Sequence, residues 1–77
     1  MIDVLFFAEL QEKVGEGKVT IKADGITLAD LKTKLLAAYQ LENLDNVMIA
    51  INEEYAQDET VIKTGDVVAL IPPVSGG

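Results

Sequence analysis

The amino-acid sequence predicts an α+β fold in which one main helix packs across a mixed sheet of four to five strands. Three observations carry that expectation. Runs rich in β-branched and aromatic residues, each of strand length, occur at residues 2–7, 47–52 and 67–71. One segment, opening at Thr27, spaces its leucines for a helix face. At 77 residues, 49% of them hydrophobic, the chain is sized for one domain with a single sheet-and-helix core.

The first strand, Ile2 to Phe7, puts Ile2, Val4 and Phe6 on one face and Asp3, Leu5 and Phe7 on the other. Residues 8–14 favour helix but are few, and Gly15 and Gly17 end them after one or two turns. Lys18 to Ala23 alternates, with Val19 and Ile21 opposite Thr20 and Lys22, and forms a second strand antiparallel to the first. Asp24-Gly25 turns the chain. Thr27 then caps the main helix, with Asp30 at the capping-box position and Ile26 and Leu31 placed as a hydrophobic staple. Leu28, Leu31, Leu35, Ala38 and Tyr39 make its apolar stripe, which runs to about Gln40.

Val47 to Asn52 is a third strand whose composition suits burial on both faces. Asn52-Glu53-Glu54 is a turn. Thr60 to Lys63 is a short edge strand or a 3₁₀ turn, and Thr64-Gly65-Asp66 turns into the last strand, Val67 to Ile71. Proline cannot donate to a sheet ladder, so Pro72-Pro73 stops it. The long helix supplies the crossover that a mixed sheet needs. This order is the β-grasp arrangement, with residues 1–71 as the domain and 72–77 as a flexible C-terminal Gly-Gly tail.

Composition excludes much. With no Cys, the chain has no disulfide, no thiolate metal site and no thiol nucleophile. With no His it lacks the commonest general base and metal ligand, and it has no Arg or Trp either. No metal site is expected: Glu53-Glu54 and Asp58-Glu59 lack calcium-loop spacing and suit solvated turns. A net charge of −7 repels phosphate backbones, so nucleic acid is not an expected partner. The apolar run Val4–Ala8 is too short for a secretory signal, and no stretch approaches the roughly 20 apolar residues of a membrane span. The expected location is therefore the cytoplasm. Tyr39 and Tyr55 are expected to pack, and the lysines to be surface charge.

The tail is the one chemically suggestive motif. Two prolines stiffen the exit from the last strand, and residues 72–77 reach roughly 20 Å when extended. Gly76 and Gly77 have no side chain and accept any backbone dihedral, so the tip suits a narrow channel and delivers a carboxylate. A bare Gly-Gly end is otherwise compatible with simple fraying. Phe7, Val67 and Ile71 are the candidate apolar docking patch beside it, and packing in the core is the alternative for each.

Val-Leu-Phe-Phe-Ala at residues 4–8, Gly15, the Thr27-initiated helix, Gly65-Asp66 with Val68-Ala69, and Pro72-Pro73-Val74-Ser75-Gly76-Gly77 resemble, from end to end, the molybdopterin synthase small-subunit family of ubiquitin-like sulfur carriers. The chain departs from that pattern at Leu70 and Ile71, where relatives often carry Phe, and at Gln11, where they carry Arg. The resemblance implies that Gly77 is adenylated by an ubiquitin-activating-like adenylyltransferase using ATP and magnesium. It is then converted to a thiocarboxylate and donates sulfur to a pterin precursor in the large synthase subunit, within a heterotetramer. Gly76 and Gly77 would form the reacting end, and Pro72, Pro73, Val74 and Ser75 would bind the large subunit as it takes in the tail. The chain itself binds no cofactor and is not catalytic alone. A carrier for thiamine or tRNA thiolation, and a non-catalytic ubiquitin-like interaction module, are the alternatives.

Overall fold

In the computed structural model of the chain, residues 1–41 and 47–72 are described. Nine elements follow in order: β1 (Ile2–Phe6), α1 (Glu9–Val14), β2 (Lys18–Ile21), β3 (Ile26–Thr27), α2 (Leu28–Tyr39), β4 (Met48–Ile51), β5 (Glu54–Tyr55), β6 (Val61–Ile62) and β7 (Val67–Ile71). The main sheet has five strands in the order β2-β1-β7-β4-β5. The first and last strands lie side by side in parallel, Leu5 level with Ala69, and every other neighbouring pair is antiparallel. The expected mixed sheet is thus present.

Alternation decides which residues form the core. Ile2, Val4 and Phe6 of β1 and Val68 and Leu70 of β7 are buried beneath Leu28, Leu31 and Leu35 of α2. Burying each such side chain contributes about 1.5–3 kcal/mol, which is how so small a chain closes one core. Tyr39 packs at the edge of this cluster, its ring edge-on to Phe6 at 5.8 Å between centroids.

Helix α2 starts where expected. The Thr27 Oγ1 accepts the Asp30 amide at 3.2 Å. Among the described residues the reciprocal side-chain bond of a capping box is not formed. Instead, the amides of Leu28 and Ala29 donate to the carbonyls of Thr60 and Asp58, at 2.9 and 3.1 Å. The loop before β6 thus satisfies amides that a helix start leaves free. Lys32 reaches the same loop and pairs with Asp58 at 2.7 Å, so it is more than surface charge. Gln40, in the left-handed conformation, ends the helix.

The structure corrects several details. Ala38 is exposed rather than part of the stripe. Its direction, about 20° around the helix from buried Leu31, suits the stripe, but it carries only a methyl and stands in the last turn of α2. Leu36 packs against the core instead. Met48 is 51% exposed, so burial along β4 is confined to Ile49 to Ile51. Glu54 is not turn but the start of β5, paired with Ile51. The segment around Val61 is a strand, yet it pairs with β3 in a separate two-stranded sheet rather than extending the main one. Pro72, assigned to the tail by sequence, is buried and belongs to the folded body, because the last strand carries it back over the core side.

Candidate docking face and the root of the tail

Helix α2 covers one side of the sheet and leaves the other open. The ladder puts Leu5 of β1, Ala69 of β7, Ala50 of β4 and Tyr55 of β5 in one row across that open side. A second row holds Ile71 opposite Met48, with Phe7 following the Phe6–Leu70 pair on the neighbouring strand. Leu5, Phe7, Ala50, Tyr55, Val67, Ala69 and Ile71, with Asn52 and Glu53 at the rim, line one shallow, mainly apolar depression. Phe7 is 44% exposed and Ile71 37%.

The three residues singled out by sequence, Phe7, Val67 and Ile71, therefore share this face and are not core. Tyr55 does not pack, as had been expected, but is 75% exposed on the same face. Sequence reasoning missed it because the two-residue turn before it, Asn52-Glu53, lacks the glycine that marks such hairpins. Leu5 carried a signal, since it shares the parity of Phe7.

Local geometry holds both ends of the face. At one end the Phe7 carbonyl accepts the Leu10 amide at 3.1 Å across a tight turn that leads into α1. Ala8 occupies that turn with φ 54° and ψ −131°, a conformation that favours glycine. At the other end, the Asp66 carboxylate accepts the Lys63 amide at 2.9 Å and the Asn52 side-chain amide at 3.0 Å. The Lys63 amide first, then Asn52, and the nearby Lys63 charge hold the Asp66 carboxyl below its ordinary 3.8, against a small opposing effect of desolvation.

Ile71 is the last residue of β7, so the apolar face ends where the C-terminal segment departs. Pro73, Val74, Ser75, Gly76 and Gly77, the remaining candidate residues, lie outside the described residues. Among the described residues no three acidic side chains converge as a metal site would require, and no helix is long and apolar enough to cross a membrane.

A five-stranded mixed sheet with one main helix packed across it defines a ubiquitin-like β-grasp protein. Within that class, the chain belongs to the ThiS family, which it matches over residues 4–77. The molybdopterin synthase sulfur carrier subunit of Chlamydomonas reinhardtii is 42% identical over 99% of this chain and 98% of its own length. Crystalline SAMP1 from Haloferax volcanii superposes with a TM-score of 0.83 at 30% identity, covering 99% of this chain and 98% of that one. A chain in the complex of subunits 1 and 2 of the molybdopterin-converting factor from Helicobacter pylori is similar at TM-score 0.65 and 32% identity, with 99% and 97% covered.

Proposed function

We propose that this chain is the sulfur carrier subunit of molybdopterin synthase and that its reagent is the carboxylate of Gly77. The observation that carries this is the open apolar face of Phe7, Tyr55, Val67 and Ile71 at the root of a tail ending in Gly76-Gly77. The relatives named as molybdopterin synthase sulfur carrier subunits match the chain over its whole length. The Helicobacter pylori complex supports a second subunit as the partner.

The division of labour follows from chemistry. A carboxylate is a poor electrophile, so an adenylyltransferase, with ATP and magnesium, joins it to AMP and supplies a good leaving group. A persulfide donor displaces AMP to form an acyl disulfide on Gly77. A second thiol then cleaves its S–S bond, leaving a disulfide on the donor side and a thiocarboxylate on Gly77 that is ionised and strongly nucleophilic near neutral pH. The apolar face docks on the large subunit, and residues 73–77 carry the thiocarboxylate to a pterin precursor there. Basic groups come from the partner, since this chain has neither His nor Arg. Two rounds of transfer complete a dithiolene. A heterotetramer of two small and two large subunits in the cytoplasm is the assembly this reading entails.

The test is direct. Incubated with ATP, magnesium, the activating enzyme and a sulfur donor, the intact chain gains the mass difference between one sulfur and one oxygen atom. Deleting Gly77, or adding one residue after it, abolishes the gain and leaves the circular dichroism spectrum unchanged. Absence of any mass gain in the parent chain, or sulfur transfer by the shortened one, would overturn the reading.

A further inference from the structure

The β4–β5 turn carries a residue that its backbone does not favour. Asn52 and Glu53 have φ of 52° and 70°, two left-handed residues in succession between paired strands. Asn tolerates that conformation, whereas the second position of such a turn is where glycine is preferred. Among the described residues no side-chain hydrogen bond or ion pair to Glu53 is formed. All six lysines of the chain are among the described residues, and their ion pairs are Lys18 with Asp3 and Lys32 with Asp58. The Glu53 side chain is exposed, and the residue borders the apolar depression next to Asn52 and Tyr55. Of the carboxylates near this side of the sheet, Asp3 lies 3.7 Å from Lys18, and Asp66 accepts the Lys63 amide and the Asn52 side-chain amide.

We infer that Glu53 is a specificity-determining contact for a lysine or arginine side chain of the large subunit, set at the edge of the apolar docking face. The inference rests on the docking reading above and deepens it. Strain at an exposed residue whose side chain has no hydrogen-bond or ion-pair partner among the described residues points to a role outside the fold. An unpaired carboxylate beside an apolar patch favours a partner whose matching apolar patch is flanked by a cation. It disfavours one that places an acidic or aliphatic group there.

Binding of the purified large synthase subunit to the parent chain, Glu53→Gln and Glu53→Gly, measured calorimetrically at low and high salt, tests this. Glu53→Gln is expected to weaken Kd by about tenfold at low salt, with the difference shrinking at about 1 M salt, where screening acts within a few ångström. Glu53→Gly is expected to weaken binding alike while raising Tm by about 4–8 °C, because it relieves the turn. A merely structural role predicts no change in salt dependence. If the parent binds and Glu53→Gln binds equally well with the same salt dependence, the inference is wrong and the docking reading stands. If the parent does not bind the large subunit at all, both are wrong.

Discussion

The side-chain amide of Asn52 donates to the Asp66 carboxylate at 3.0 Å while its carbonyl oxygen accepts the Val67 amide, also at 3.0 Å. The backbone adds a further link, from the Asn52 amide to the Val67 carbonyl at 2.8 Å. One residue thus ties the turn after β4 to the start of β7. Asn52→Ala removes two side-chain hydrogen bonds and puts a residue ill-suited to φ 52° in the turn. At about 1 kcal/mol per bond, a loss of about 2–3 kcal/mol is expected in urea denaturation.

The same cluster makes stability depend on pH. The Asp66 carboxyl is held below its ordinary 3.8 in the folded chain by the Lys63 amide and then the Asn52 amide. A group depressed on folding contributes fully above its unfolded value and loses that contribution as pH falls through the folded one. Urea midpoints should therefore decline below pH 3.8. In Asp66→Asn this part of the decline should be absent, and an unchanged profile would show that Asp66 does not contribute to it.

Ala8 adopts φ 54° and ψ −131° in the turn between β1 and α1, next to the exposed Phe7. Glycine accepts this geometry without the Cβ penalty. Ala8→Gly should raise stability by about 1 kcal/mol, the relief of strain exceeding the added freedom of the unfolded chain. A thermal melt distinguishes this from the loss that glycine causes at an ordinary backbone position.

Ile71 sits at the end of β7 opposite Met48 and is 37% exposed. Ile71→Lys should change stability by less than about 1 kcal/mol, since the longer side chain keeps its apolar stem on the sheet. Binding of the large subunit should weaken by at least about tenfold, because a charge then faces an apolar surface. Parallel calorimetry and urea denaturation separate the two effects, and a loss confined to stability would make Ile71 a core residue.

Much of this was legible along the chain. Period-two alternation in Ile2–Phe6 and Lys18–Ile21 identified the inward faces, and Thr27 marked the helix start, because these signals depend on residues a few positions apart. The Gly-Gly end and the prolines before it are likewise written directly in the sequence, as is the absence of His, Cys and Arg. Tertiary structure decided the rest. Nothing local to residues 67–71 says that Val67, Ala69 and Ile71 face outward, since both parities are apolar. Their exposure follows from α2 covering the opposite side and from the ladder that places them beside Leu5 and Ala50. Tyr55 joined that face, and Val61 left the main sheet for a separate pairing with β3, through contacts between residues far apart in sequence. Local preference specifies what each segment can become, whereas a docking surface is defined by what the remainder of the chain leaves uncovered.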